Sequence, residues 1–153
     1  MKRDILLILG AFFIAGCGGG IPDNINAKQI LTKNSWYEIC SNNSSRVYHF
    51  YDNYYTRKSY NDDNFTDLNK TKQYQVEEYS TVGFTTNNSI CAVSNVLDLD
   101  NNQKLKVQSV LVECLPKDEN DTKFQLFMGW KNKELARENK GDCFWVWFLV
   151  FSE

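Results

Sequence analysis

The sequence has little histidine, little proline and no long apolar run. It contains one histidine and two prolines in 153 residues. Its longest apolar segment, residues 5–15, has eleven residues, whereas a membrane-spanning helix needs about 20. The single histidine, together with the lack of any CxxC spacing, argues against a zinc site. Neither a membrane-spanning helix nor a metal centre is expected.

The usual catalytic motifs are also missing. HExxH, GxSxG, a P-loop and GxGxxG do not occur in the chain, although each has a spacing that its chemistry requires. The one candidate general base, His49, lies in a predicted strand without an indicated orienting partner, and we interpret it as structural. A net charge of −2 without a dense basic patch argues against nucleic-acid binding. We expect a protein that is not an enzyme and has no cofactor.

The N-terminus has the features of an export signal. Lys2 and Arg3 precede the apolar run, and small residues follow it, as in a secretory signal peptide. The tetrapeptide IAGC, residues 14–17, resembles the lipobox of bacterial lipoproteins. This resemblance implies that residues 1–16 are a signal peptide and that Cys17 becomes acylated, with palmitate as a typical chain. The alternative is that residues 5–15 form a buried helix.

The same resemblance implies a location. Each buried CH₂ of a lipid chain contributes about 0.8 kcal/mol, and stable anchoring takes two chains or more, which triacylation supplies. Residues 17–25 include three consecutive glycines and are expected to be a flexible tether. In the lipoprotein family, an aspartate after the acylated cysteine retains the protein in the inner membrane. Because Gly18 stands there, the resemblance implies the outer membrane, facing the periplasm or the cell surface.

Residues 26–153 are expected to form a single domain. Removal of residues 1–16 leaves 137 residues with 15 basic and 18 acidic side chains, which suits one compact core. An even number of further cysteines in an exported chain predicts two disulfides, and three pairings are possible. These cysteines are Cys40, Cys91, Cys114 and Cys143.

The pattern from Trp36 onward is typical of an all-β domain. Short β-branched and aromatic runs alternate with Asn, Asp and Ser clusters. A short helix over residues 24–31 precedes the strands, and another over residues 132–141 precedes the last strand. We expect an antiparallel, up-and-down barrel of about eight strands, or a sandwich. The predicted strands cover residues 35–40, 46–51, 54–60, 72–81, 89–99, 104–114, 123–130 and 143–151.

This barrel favours one disulfide pairing. Cys40 ends the first predicted strand and Cys143 begins the last, so closure brings both to the same rim. Cys91 begins the fifth strand and Cys114 ends the sixth, at the opposite rim. The pairing Cys40–Cys143 and Cys91–Cys114 follows. In the hairpin of the fifth and sixth strands, the register that pairs Leu97 with Val107 and Leu99 with Leu105 places Cys91 opposite Glu113, so this disulfide pairing requires a β-bulge.

A second, weaker resemblance concerns residues 27–130. The segment ILTKNSWY, residues 30–37, with the hairpins after it, looks like the opening of small lipocalin-like (calycin) lipoproteins, in which a short helix precedes a tryptophan at the start of the first strand. The resemblance implies a barrel that carries a small apolar ligand. Asn34 stands where lipocalins commonly have glycine, and no binding residue is carried over.

We expect the interior of the barrel to be filled. An eight-stranded barrel is just wide enough to be packed by side chains or to hold one small ligand. The inward candidates are large, and they are Trp36, Phe50, Val76, Val93, Leu97, Leu105, Val107, Phe124 or Leu126, and several aromatic residues of the last strand.

These expectations favour a non-enzymatic binding module of the cell envelope that contacts the membrane through its anchor and has an envelope protein or a small apolar ligand as its candidate partner. The alternatives are a carrier of a small apolar ligand and an inhibitor of an exported enzyme. A tyrosine-rich hairpin, residues 48–60, is either a contact surface at the rim or ordinary cross-strand packing. The last strand, apolar on both faces, is expected to be covered by the N-terminal helix or to be exposed for a partner.

Overall fold

The computed structural model describes residues 26–99, 105–143 and 147–148, and for residues 95–99, 105, 106, 123, 147 and 148 it describes the backbone alone. The expected signal peptide, the acylated Cys17 and its tether lie outside the described residues, as do residues 144–146 and 149–151 of the last predicted strand. No helix in the described ranges has both the length and the apolar character needed to span a bilayer.

Eight antiparallel strands close into a barrel, which confirms the expected fold class. Each strand pairs with the next one in sequence, and the eighth returns to the first through Tyr37 and Trp130. A two-residue ninth strand pairs with the start of the eighth. The strands are β1 (Ser35–Ile39), β2 (Ser45–Phe50), β3 (Tyr54–Tyr60), β4 (Leu68–Tyr79), β5 (Gly83–Thr86), β6 (Ser89–Leu99), β7 (Leu105–Pro116), β8 (Lys123–Trp130) and β9 (Trp147–Phe148).

Two short helices flank these strands, as expected. Helix α1 (Ala27–Lys33) begins at Asn26, which forms a capping box with Gln29, and α2 (Lys133–Glu138) begins at its N-cap Asn132. The face of the last strand that the first helix was expected to cover lies outside the described side chains. Helix α1 inserts the apolar side of its first two turns into the main core of the barrel.

One strand was not expected. Strand β5 has only four residues, too few to show the alternation by which strands are recognised. It begins at a glycine that the sheet requires, because a Cβ on Gly83 would lie 1.9 Å from the carbonyl oxygen of Cys91. Since β5 adds a strand to the meander, β8 closes the barrel. The prediction that residues 143–151 close it is therefore wrong: the described part, β9, pairs with Lys123 and Phe124 at the start of β8.

The barrel has two different ends, because successive strands alternate in direction. At one end α1 packs beside the β2–β3 and β4–β5 turns, and we call it the α1 end. The other end carries the turns at residues 40–44, 61–67, 87–88 and 117–122, and we call it the rim end.

Both disulfides lie at the rim end. Cys40 is bonded to Cys143 and Cys91 to Cys114, the pairing that the sequence indicates. A bulge between Val96 and Leu97 places Cys91 opposite Cys114, so the irregularity that this pairing requires is present. The expectation that the two disulfides lie at opposite rims is wrong. Strand β5, which was not predicted, reverses the direction of each strand that follows it.

Side chains fill the centre of the barrel. Six strand residues of its main core are fully buried: Trp36, Tyr48, Phe84, Val93, Val110 and Val112. The rings of Tyr48 and Phe127 stack with centroids 3.9 Å apart. The expectation of a packed interior is met over the described side chains.

The expected inward residues fall into three groups. Four of them, Trp36, Phe50, Val76 and Val93, belong to the main core, and Val107 packs against it. The side chains of Leu97 and Leu105 lie outside the described part. Phe124 and Leu126 were placed wrongly. The pairing of β7 with β8 turns Phe127 inward, so these two side chains point outward into a second cluster with Ala92 and Leu115.

Candidate functional site

A charged cluster lies inside the barrel toward the rim end. Glu38 in β1 is directly opposite Arg46 in β2, and Tyr48 in β2 is directly opposite Arg57 in β3. Residues directly opposite in an antiparallel pair share a face, and so do residues two apart along a strand. Because Tyr48 belongs to the main core, all four side chains face the interior. We call Glu38, Arg46, Tyr48 and Arg57 the charged cluster.

The carboxylate of Glu38 organises this cluster. The hydroxyl of Tyr48 donates a hydrogen bond to Glu38 Oε2 at 3.2 Å, and Arg46 Nη1 lies 3.7 Å from the same oxygen. The side chains of Arg46 and Glu38 are only 16% and 12% exposed. The stack of Phe127 on Tyr48 holds the tyrosine ring in place. The cluster is therefore a nearly buried ion pair with a hydroxyl donor, whose charges cost free energy to bury.

Burial changes the protonation of the cluster. It raises the pKa of Glu38 to about 7, although Arg46, the Tyr48 hydroxyl, the Met128 backbone and Arg57 all act to lower it. Burial also lowers the pKa of Arg46 and raises the pKa of Tyr48 well above its ordinary value. The carboxyl group of Glu38 therefore gains or loses its proton near neutral pH, and the cluster gains or loses one negative charge with it.

Two lysines of β4 extend this surface toward solvent. Lys72 is directly opposite Arg57, and Lys70 is opposite Ser59, which in turn is opposite Arg46. The charges of Arg57 and Lys70 lower the pKa of Lys72, which shows that the three cations lie close together. The inner surface of β2, β3 and β4 at the rim end therefore carries four cations, of which Arg46 and Arg57 act on the carboxylate of Glu38.

A shallow pocket at the rim leads to Arg46. Its volume is about 210 Å³, and the Cys40–Cys143 disulfide forms part of its wall. A hydrogen bond from Ser41 Oγ to Asp142 Oδ1, at 2.8 Å, joins the β1–β2 turn to the chain after α2. Besides Arg46, the residues that line this rim pocket are Cys40, Ser41, Asn42, Ser44, Asp142 and Cys143.

His49 has a partner that the sequence did not indicate. Ser35 is directly opposite it across β1 and β2, and Ser35 Oγ lies 2.9 Å from His49 Nδ1. In a nucleophilic triad, Nδ1 is the nitrogen that bonds to the orienting carboxylate. Because a hydroxyl occupies that nitrogen here, the pair does not have the geometry of a triad. Burial, assisted by Lys58, lowers the pKa of His49.

The described residues show no arrangement suited to a metal ion: in that part of the chain, no three His, Cys, Asp or Glu side chains are close enough together to hold one.

The tyrosines of residues 48–60 do not form one surface. Tyr48 and Tyr55 are buried in the main core. Tyr51 and Tyr54 stack on each other beside the β2–β3 turn, with centroids 4.5 Å apart, and Tyr60 packs against Phe65 on the outer side of the barrel. The interpretation as cross-strand and core packing is therefore favoured over a tyrosine-rich contact surface.

The charged cluster was missed in the sequence, although a signal for it exists. Glu38 stands two residues after Trp36, and Arg46 stands two residues before Tyr48. In a strand, residues two apart share a face, so both charges were already at inward positions.

Comparison with known proteins adds no relative from which a role for this site could be taken. No protein-family model matches the chain, and neither does any curated protein or solved structure.

Proposed function

We propose that this protein is a lipid-anchored envelope lipoprotein whose barrel acts as a non-enzymatic binding module through its rim end. The observation that carries the proposal is the filled interior. Trp36 and Phe84 are almost completely buried there, and Tyr48 and Phe127 stack across it. A barrel packed in this way presents its ligand-accessible groups at an end.

The two ends differ in what they offer a ligand. At the α1 end, Ile30 and Leu31 are part of the main core, so the helix blocks the interior. At the rim end, the rim pocket and the charged cluster present guanidinium, hydroxyl and carboxyl groups. Pockets for drug-sized ligands enclose about 300–1,000 Å³ and are mostly apolar. The rim pocket is smaller and polar, which favours a polar contact over the transport of an apolar molecule.

The proposed location rests on the lipobox at residues 14–17 and on Gly18, which favour an acylated Cys17 and the outer membrane. Two disulfides in the described domain agree with an exported protein, since disulfides persist in oxidising compartments.

A ligand titration tests the choice between binding module and carrier. A fluorescent fatty-acid analogue is added to the Cys17→Ala variant, which lacks the proposed acylation site. We expect no saturable binding. The additional change Phe84→Ala, probed with benzene in place of the fatty acid, supplies the matched control, because the apolar cavity left by one large side chain can take up a molecule of that size. Micromolar one-to-one binding without that second change would contradict the proposal and favour the carrier.

A labelling experiment tests the anchor independently. Radiolabelled palmitate should enter the wild-type protein in its host and should not enter Cys17→Ala, which should fractionate with soluble envelope proteins. Label in the variant would show that the lipobox interpretation is wrong.

A further inference from the structure

We infer that the rim end binds a small oxyanion, a phosphate or carboxylate group, between Arg46 and Arg57, and that protonation of Glu38 strengthens this binding. The inference rests on the proposed binding function and names the class of its ligand.

The first argument is the placement of charge. Arg46 and Arg57 lie on neighbouring strands and share the inner face with Lys70 and Lys72. Guanidinium groups present several donors in a planar fork that fits the oxygens of carboxylates and phosphates. Glu38 is the carboxylate that faces these guanidiniums from β1. An oxyanion at Arg46 and Arg57 therefore meets two guanidiniums, with Lys70 and Lys72 beyond them, against the carboxylates of Glu38 and, in the wall of the rim pocket, Asp142.

The second argument is access. The rim pocket opens to solvent and reaches Arg46, and its volume of about 210 Å³ suits a group of phosphate or small carboxylate size. Ser41, Asn42 and Ser44 add hydroxyl and amide groups to its wall. Asp142 also lines the pocket, where it accepts a hydrogen bond from Ser41. The site thus excludes bulky apolar ligands by its size and by its lining.

The third argument is the competition between Glu38 and the ligand for Arg46. The groups that face Glu38 are Arg46 and Tyr48 of β2, Arg57 of β3 and the backbone of Met128 in β8. When Glu38 is ionised, its charge offsets one guanidinium and repels an anion. Because the pKa of Glu38 is about 7, a proton removes this repulsion as the pH falls below neutral. Binding and protonation are then coupled, and each strengthens the other by the same factor.

The test uses sulfate and the full-length chain in a neutral detergent at constant ionic strength. Sulfate remains a dianion throughout the range used, so its own titration does not interfere. Calorimetric titration should give one site that binds sulfate at least tenfold more tightly at pH 5.5 than at pH 8.5. Glu38→Gln should bind tightly at both values, with a ratio below twofold. Arg46→Gln and Arg57→Gln should each weaken binding at pH 5.5 by tenfold or more.

The matched control is Lys58→Gln, which removes one positive charge from the same strand as Arg57 but on the opposite face. It should change the affinity by less than twofold. An equal loss in this variant would show that the effect is only the total charge, and would overturn the inference.

A measurement on the unmodified protein covers the case in which a variant fails to fold. The carbon-13 signal of the Glu38 carboxyl group, followed against pH, should show a pKa that is higher by about one unit or more in saturating sulfate, the counterpart of an affinity ratio of tenfold or more. An unchanged midpoint overturns the inference. So does the absence of saturable sulfate binding, which would leave the lipid anchor and the packed interior unaffected. Competition by methyl phosphate and by propionate then shows which of the two oxyanion groups the site prefers.

Discussion

The two ends of this barrel are built from the same strands but bury different side chains: apolar ones at the α1 end and charged ones toward the rim end. Strand β1 supplies Trp36 to the packed core and, two residues later, Glu38 to the charged cluster. At the α1 end, the indole Nε1 of Trp36 donates to the carbonyl oxygen of Leu31 at 3.0 Å, so the helix is tied to the core. At the rim end, charges face inward and both disulfides cross-link the strands and the chain after α2.

The difference shows how a small domain can hold charges inside it. Burial of apolar surface, worth about 25 cal/mol per Å², stabilises the α1 end. Burial of Glu38 and Arg46 costs free energy even when they pair, and the cross-links at the rim end offset such a cost because they restrict the unfolded chain. Apolar burial at the α1 end thus stabilises the domain, and the disulfides at the rim end allow it to keep buried charges there.

The largest effect should come from the long-range cross-link at the rim end. Cys40 and Cys143 are 103 residues apart in sequence. In the chain-entropy description, removal of a disulfide that closes a loop of that length costs about 4 to 5 kcal/mol of stability. The double change Cys40→Ser and Cys143→Ser should therefore lower the free energy of unfolding by about that amount, measured by denaturant titration. The Cys91–Cys114 disulfide joins residues that are 23 apart in sequence, so the double change Cys91→Ser and Cys114→Ser should lower the free energy of unfolding by less. A reversed order would contradict the prediction.

The next effect concerns the packed end. Trp36→Ala removes a fully buried ring and leaves the Leu31 carbonyl without its indole donor. A large cavity of this kind costs about 3 to 5 kcal/mol, which denaturant titration should detect. Tyr51→Ala, at a residue that is 43% exposed at the same end, should cost less than about 1 kcal/mol because surface changes are generally small. Equal losses would contradict the assignment of Trp36 to a tightly packed core.

A change in the charged cluster should alter how stability depends on pH. The pKa of Glu38 in the folded protein, about 7, is above its ordinary value of 4.5, so the folded state holds the proton more tightly than the unfolded chain does. The contribution of this group is fully present below pH 4.5 and is lost as the pH rises through 7. The loss is about 3 kcal/mol.

Glu38→Gln should abolish that loss, because glutamine resembles the protonated carboxyl group. Relative to the wild type, the variant should therefore gain about 3 kcal/mol of stability between pH 4 and pH 8.5. Denaturant titration at a series of pH values measures the gain. His49, whose lowered pKa acts in the opposite direction, is present in both proteins and cancels in the difference. Parallel pH curves would show that Glu38 is not responsible.

The sequence predicted the fold class and the disulfide pairing because both depend on patterns along the chain. Alternation located most of the strands, and the pairs Leu97–Val107 and Leu99–Leu105 were enough to show that a bulge must lie between them and Cys91. The short strand β5 was not predicted, because four residues that begin with the obligatory glycine show too little alternation of apolar and polar side chains. That single omission placed one disulfide at the wrong end and assigned the closure to the wrong segment.

The candidate site depended on information that the chain does not display locally. A charged residue faces the interior when the residues two positions away along its strand do so. The inward Trp36 indicated in this way that Glu38 faces the interior. That Arg57 and Lys72 join the same surface follows only from the register between β2, β3 and β4. Registers between strands with polar residues on both faces are weakly specified by the sequence, so this part had to come from the structure.

The smallest effect should come from the caps of the two helices. Their comparison distinguishes α1, which packs in the main core, from α2, which packs outside it. Asn26 Oδ1 accepts from the Gln29 backbone at 3.0 Å, and Asn132 Oδ1 accepts from the Leu135 backbone at 2.8 Å. Replacement of either by alanine should cost about 1 kcal/mol, measured by denaturant titration. Only Asn26→Ala should speed hydrogen exchange at the Trp36 indole, because fraying of α1 releases the Leu31 carbonyl that the indole binds. Faster exchange in both variants would contradict the assignment of α1 to the main core, since Ala136 of α2 packs in the outer cluster with Ile39, Val47 and Phe65.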